Sequence, residues 1–347
     1  IYASSGSDAN DSAIRLAHYY HARRGNRSKK HIISRKGAYH GSTYLGISLG
    51  GKVDDRSPNF HYITDFIHHL SCPNLYRRPE GLSPEEFTDS LVEEFDWKVS
   101  EVGAGNIAAF IAEPVMGSGG VLVPPPGYLN RIRQRCRELD ILYISDEVVT
   151  AFGRLGHMFA SHAEFGIQPD IIVTAKGITS GYFPLGATLF SDEIFDAISA
   201  PDSEAWFAHG FTYSGHPVAC AVALENIRIL KDEKLVERVH DETGPYVTRK
   251  LREFQDHPLV GEVRNLGLMG AIELVRDKKT HKTFEPVGDT GTICRDHCFK
   301  LGLVMRATRD TMLISPPLSW TKADVDEWAG LTRQALDLTA KDVGVKA

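Results

Sequence analysis

Short apolar runs alternate with stretches of helical periodicity through the first two thirds of the chain. The pattern predicts a helix over 11–25, a strand over 30–34, a strand over 107–113, a helix over 128–139, and strands over 141–145 and 170–175. The strand segments are continuous Val, Ile and Ala runs, not alternating ones, which is expected where helices cover both faces of a sheet. This order predicts an α/β fold built on a mostly parallel central sheet with helices on both faces, whose C-terminal strand ends are the place to look for a ligand. From His216 a long helical pattern covers 218–233 and continues over 235–254. After it, 262–266, 270–275 and Thr311–Ile314 read as strands of an antiparallel unit, and 323–338 as a closing helix with Thr321 as N-cap ahead of Asp324. The expected division is a large domain over 1–229 and a smaller C-terminal α+β domain over 230–347. The chain opens at Ile1 on a strand stub that runs straight into a loop, so further protein is expected ahead of it.

A chain of 347 residues with 42% hydrophobic and 24% charged content is globular and large enough for more than one domain, which sets aside disordered and fibrous classes. A net charge of −6 leaves no electrostatic footprint for nucleic acid or anionic membrane, and the basic stretch 23–30 reads as a solvated helix end. No apolar run approaches the ~18 residues that a membrane span needs. Cys72, Cys136, Cys220, Cys294 and Cys298 are dispersed, with no C-x-x-C pair, which suits reduced thiols in a cytoplasm.

Three features carry chemistry. Ser4 to Asn10 lies between the strand stub and a helix, where backbone N–H groups, hydroxyls and the helix dipole converge on an anion; ordinary turns and N-caps are made of the same residues. Asp146 stands at the end of an apolar strand, and a carboxylate in so dry a place needs a cationic partner such as a pyridinium N–H, or is a satisfied structural group. Lys176 ends the next strand, where desolvation would lower its pKa and suit it to Schiff-base chemistry; a surface lysine is the plainer reading. Taken together the three define a cofactor site.

The set Ser5-Gly6-Ser7-Asp8-Ala9-Asn10, Tyr39-His40-Gly41, Glu113-Pro114, Asp146-Glu147-Val148 with Phe152-Gly153-Arg154, and Ala175-Lys176-Gly177 resembles the class III aminotransferases of fold type I. The resemblance continues in order through Pro184-Leu185-Gly186, 210–217, Arg306 and Ser315-Pro316-Pro317-Leu318, nearly the whole chain. It implies pyridoxal 5′-phosphate as cofactor, held on Lys176, with Ser5, Gly6 and Ser7 at its phosphate. It further implies Tyr39 and Val148 on the two faces of the ring, Asp146 on the ring nitrogen as part of the electron sink, His40 beside the cofactor, and Glu113 in support of the site through hydrogen bonds. Phe211 and Thr212 would belong to a loop that completes the phosphate site of a neighbouring subunit, which makes a homodimer, or a tetramer built from it, the functional unit. Arg306 matches the family's mobile arginine, a fork for a substrate carboxylate. The implied reaction is a ping-pong transfer of an amino group from an amine or ω-amino acid to an oxo acid, pyruvate above all; the donor and the enantiopreference stay open. Asp8 stands where most relatives carry Glu, and Arg309 where they usually carry Gly.

Rival patterns are weaker. An aminomutase or decarboxylase would use the same anchor, and a cofactor-binding regulatory protein would keep it without catalysis. Gly46 to Gly50 matches the G-x-S-x-G elbow of a serine hydrolase around Ser48, but 52–57 opens no apolar helix. Gly103 to Ala108 resembles a dinucleotide fingerprint but precedes a strand instead of following one. Cys294, His297 and Cys298 share one expected helix without the further ligands that a zinc would need, so no metal is expected there.

Overall fold

The computed structural model describes residues 1–199 and 206–345. They divide into two compact units: Ile1–Met116, Pro124–Phe152 and Phe159–Asp232 form the first, and Gly117–Val123, Gly153–Met158 and Glu233–Ala347 the second.

The first unit is built on a seven-stranded sheet: β1 (Tyr2–Ala3), β2 (His31–Arg35), β3 (Ile67–Leu70), β4 (Ile107–Ala112), β5 (Leu142–Asp146), β6 (Ile171–Thr174) and β7 (Gly186–Phe190), in the order β1-β7-β6-β5-β4-β2-β3. Strands β3, β2, β4, β5 and β6 are parallel, while β7 is antiparallel to β6 and β1 antiparallel to β7. The two reversals return β1 to the direction of β6. The C-terminal ends of β1, β2, β4, β5 and β6 therefore share one edge. All six residues of β4 and all five of β5 are buried, which is what their unbroken apolar runs require.

Helix α1 (Gly6–Arg23) leaves β1 directly and buries Ala9, Ala13, Ile14, Leu16 and Ala17 in one core with Ile32, Ile111, Ile144 and Val173. The other face of the sheet is covered by a second core of Phe95, Phe110, Tyr128, Ile132 and Tyr143. Each fully buried large side chain contributes about 1.5–3 kcal/mol. Helix α1 starts earlier than the hydrophobic pattern alone implies, because Ser5 caps it by accepting from the Asp8 N–H at 3.2 Å. The basic stretch at its end is not solvated throughout: Lys29 is buried, and its Nζ donates to the carbonyls of Ile107 (3.3 Å) and Asp140 (2.5 Å). The helix Pro84–Val102, opened by a Ser83–Glu86 capping box, and strand β3 lie outside the elements that the pattern predicts.

The second unit holds a four-stranded antiparallel sheet of β8 (Val260–Leu266), β9 (Met269–Leu274), β10 (Arg306–Thr308) and β11 (Thr311–Ile314), in the order β10-β11-β9-β8. It packs with the helices Asp289–Lys300 and Lys322–Asp342 around Leu251, Ile272, Leu274, Met312, Trp328 and Leu336. Thr321 caps the last helix in a reciprocal box with Asp324. The single helix expected over 235–254 is interrupted. It follows Lys234 in the left-handed region (φ 50°) and contains one wide π-type turn, Val239–Thr243. There Gly156 approaches the His240 backbone so closely that a Cβ would lie 2.9 Å from its Cα. Arg309 has φ 49° in the tight β10–β11 turn, a conformation that glycine adopts without cost. No helix among the described residues is long and apolar enough to cross a membrane.

Candidate active site

The shared strand edge gathers the residues that the sequence singles out. Asp146 closes β5 and pairs in register with Val173 of β6, and Lys176 is the second residue after β6. Glu113 follows β4, whose Ala112 pairs with Ser145. Tyr39 and His40 lie on the loop after β2, and Ser5, Gly6 and Ser7 open α1 beyond β1.

Asp146 is buried and well supplied with donors. Its Oδ2 accepts from Asn10 Nδ2 and from His40 Nδ1, both at 2.8 Å, and its Oδ1 accepts from the Val148 N–H at 3.1 Å. Burial pushes the carboxyl pKa up, but the His40 hydrogen bond and charge, with the N–H groups of Asn10 and Val148, outweigh it and hold Asp146 below its usual value. A carboxylate offers about four acceptor positions; three are taken, which leaves one on Oδ1. His40 Nε2 and Asn10 Oδ1 are buried without a partner among the described residues. Sequence reasoning placed Asn10 only in the anion loop and His40 beside the cofactor; the structure puts both on Asp146. The neighbouring Glu147 is a satisfied structural carboxylate, accepting from the N–H groups of Ala160 and Ser161 and from the hydroxyls of Thr150 and Ser161.

The anion loop is tightly packed. At Gly6 a Cβ would sit 2.9 Å from both methyls of Val148, and at Gly41 (φ 120°) it would sit 2.6 Å from Ser7 Oγ. Ser7 Oγ accepts from the Ser42 N–H at 3.1 Å, so the loop after β2 is stitched to the start of α1. We expect Gly41→Ala to cost about 1–3 kcal/mol through its left-handed φ, and to weaken cofactor phosphate binding by pushing Ser7 aside. A fluorescence titration of the apo-protein with pyridoxal 5′-phosphate, alongside a melting curve, checks both. Unchanged affinity would detach Ser7 from the phosphate.

Glu113 is buried. Its Oε1 accepts from the Tyr39 N–H at 3.1 Å, and its carbonyl accepts from Arg35 at 2.7 Å. Tyr39 is half-buried, and its hydroxyl lies 3.0 Å from Ser42 Oγ. Lys176 departs from the dry setting expected of it. It is exposed, because β6 stops at Thr174 and the lysine opens a single 3₁₀ turn, Lys176–Ile178, with φ 35°. A non-glycine residue in that region is strained by about 1–3 kcal/mol, and such strain clusters at functional sites. Phe211 is half-buried with its N–H on Ser214 Oγ (3.1 Å), and Thr212 beside it is exposed. Arg306 is exposed at the start of β10 in the second unit.

Ser48 does not form a nucleophile elbow. It lies inside the helix Tyr44–Leu49, fully buried, with Oγ donating to the Tyr44 carbonyl (2.5 Å) and accepting from the Ile63 N–H (3.0 Å). Cys294 and Cys298 pack into the core of the second unit, and His297 bonds Asp342 at 2.7 Å.

A family profile described as Aminotransferase class-III matches residues 1–336. The chain belongs to the class III aminotransferases. These enzymes use pyridoxal 5′-phosphate. Among class III aminotransferase relatives, the chain is 47% identical to the putrescine–pyruvate aminotransferase of Pseudomonas aeruginosa, covering 99% of this chain and 74% of that one. It is 42% identical to the mitochondrial gamma aminobutyrate transaminase 1 of Solanum lycopersicum, covering 99% of this chain and 66% of that one. The ω-transaminase of Pseudomonas jessenii, solved in complex with PMP, superposes with a TM-score of 0.96 at 40% identity, over 100% of this chain and 76% of that chain. The mostly parallel sheet is thus the fold-type I core expected from the strand pattern.

Proposed function

We propose that this chain is the catalytic body of an amine:pyruvate aminotransferase that takes its amino group from an aliphatic diamine or ω-amino acid. The identity to the putrescine–pyruvate enzyme and to the gamma aminobutyrate enzyme supports that substrate class. The observation that carries the reading is Asp146: a buried, ionised carboxylate whose partners are an amide, an imidazole and a backbone N–H, with one acceptor position left. A ring N–H⁺ fits that position in charge and polarity. The cradle around Gly6, Ser7 and Gly41, where any added Cβ would meet neighbouring atoms, fits a phosphate against the start of α1.

When bound, pyridoxal 5′-phosphate would supply an electron sink beside the donor carbon. Asp146 would keep the ring nitrogen protonated, and Asn10 and His40 would keep Asp146 ionised and fixed. Tyr39 and Val148 would enclose the ring faces, with Glu113 holding the Tyr39 backbone through its N–H. The Lys176 amine would attach the cofactor and, once released, carry a proton from the donor carbon to the cofactor carbon. Arg306 would bind the carboxylate of the oxo acid as a bidentate fork.

A homodimer completes the reading, with Thr212 reaching the partner's phosphate site. The helix Pro217–Asp232 supports it: its first half is apolar all round, yet Val218 is 49% and Leu224 70% exposed. Incubating the full protein with pyridoxal 5′-phosphate, pyruvate and putrescine, 4-aminobutyrate or an arylalkylamine, and measuring alanine, tests the function. Alanine from the diamine or the ω-amino acid is expected. Carbon dioxide release or donor isomerisation without alanine would replace transamination by decarboxylation or amine migration.

A further inference from the structure

The turn that carries Lys176 is gripped by one side chain of the helix Pro217–Asp232. Asn226 Nδ2 donates to the Gly177 carbonyl at 2.9 Å and to the Ile178 carbonyl at 3.1 Å, and its Oδ1 accepts from Ser180 Oγ at 2.6 Å. The two carbonyls fix the orientation of the amide, since the reverse would set Oδ1 against both of their oxygens, and the Ser180 hydroxyl then donates to Oδ1. On its other side the turn lies against Phe152. A Cβ on Gly177 would come 3.0 Å from Phe152 Cβ and 3.3 Å from the Ala151 carbonyl oxygen. Two of the residues between these supports are left-handed without being glycine, Lys176 at φ 35° and Ser180 at φ 48°.

A residue held in that region persists only where its surroundings over-determine it. Relaxation of Lys176 towards a right-handed φ would swing its Cα–Cβ bond, and with it the amine at the end of a long side chain. The local backbone bonds, Ile178 N–H to the Ala175 carbonyl at 3.0 Å, and Thr179 N–H to the Lys176 carbonyl and Ser180 N–H to the Gly177 carbonyl, both at 3.3 Å, lie within the turn itself and tie it to nothing outside. Asn226 holds the turn from outside, through the Gly177 and Ile178 carbonyls, which would turn with any relaxation. We infer that Asn226 is a positioning residue that sets the direction of the Lys176 amine by clamping the Gly177 and Ile178 carbonyls. This rests on Lys176 being the point of cofactor attachment.

The test uses the full chain freed of cofactor. Wild type, Asn226→Ala, Asn226→Asp and Lys176→Ala are mixed with pyridoxal 5′-phosphate and cyanoborohydride, and the rate and site of covalent modification are read by peptide mass spectrometry. The pH midpoint of the visible absorbance band is recorded in parallel, and melting temperatures confirm folding. In the wild type, modification is expected at residue 176 and is absent from Lys176→Ala. In Asn226→Ala it is expected to slow about tenfold, with a displaced absorbance midpoint. Asn226→Asp should be at least as slow, because a carboxylate keeps the shape but cannot donate to the two carbonyls. Wild-type rate and midpoint in both folded variants would overturn the inference. Modification of the wild type at another lysine would instead overturn the assignment of Lys176. If neither Asn226 variant folds, Ser180→Ala carries the test, since it leaves both N–H bonds but removes the bond that holds Oδ1. A smaller slowing is expected there, and none at all would overturn the inference.

Discussion

Lys176→Ala is expected to lower turnover by at least about 10⁴-fold while leaving the melting temperature nearly unchanged. Both parts follow from where the residue sits. The side chain is exposed at the sheet edge, so truncation removes little packing, and surface changes of this kind stay within about 0.5 kcal/mol. The strain at φ 35° is also the same for alanine as for lysine, since both carry a Cβ and only glycine escapes that cost. The activity loss, by contrast, would follow from removing the two tasks proposed for one amine, attachment of the cofactor and proton transfer between donor and cofactor carbons. The check is initial-rate alanine formation from pyruvate and an amine, next to a calorimetric melt. Retained activity would remove Lys176 from the chemistry, and a melting temperature lowered by many degrees would show that its strained turn needs the long side chain.

The parts of this architecture that the chain displays openly are those dictated by local rules. Strands β4, β5 and β6 are legible because burial on both faces forces unbroken apolar runs, and β5 ends on Asp146 while β6 stops two residues short of Lys176, the two residues singled out for the cofactor. The capping of the last helix by Thr321 and Asp324 is equally local. What escapes a linear reading depends on long-range closure. The strand stub at Tyr2–Ala3 is legible, but its antiparallel pairing with β7, which carries Asn10 to the Asp146 carboxylate, is not. The helix at Pro84–Val102 had a readable signal in Ser83-Pro84-Glu85-Glu86, a capping box with proline in the first turn. Strand β3 did not, because His68 and His69 break its apolar run at a sheet edge. The dryness expected of Lys176 fails for a geometric reason: strand ends are dry, and the lysine lies just past one.

Asp146→Asn should reduce turnover by about 10²–10⁴-fold, with the cofactor still attached to Lys176. The substitution preserves shape and removes charge. It also disturbs the local bonds. If the new amide oxygen replaces Oδ2 and keeps the donors Asn10 and His40, its NH₂ group takes the place of Oδ1 and opposes the Val148 N–H. If the amide is turned, the opposition moves to Asn10 and His40. Either way a buried donor faces a donor, which costs about 1–3 kcal/mol, so a modest fall in melting temperature should accompany the kinetic loss. The wild-type pH behaviour follows from the same bonds. Because the folded carboxyl sits below its ordinary value of 3.8, Asp146 contributes its stabilisation in full above that value and loses it as pH falls through the lower folded one. Asp146 thus stays ionised across neutral and mildly acidic pH and contributes no limb to the activity profile there. Two measurements decide the matter: single-turnover rates of the variant with its absorbance band intact, and the difference in melting temperature between variant and wild type from pH 7 down to pH 3. That difference should narrow only towards the acid end. A variant that turns over at the wild-type rate would strip Asp146 of its electron-sink role, and a stability gap that closes near neutral pH would contradict a lowered carboxyl.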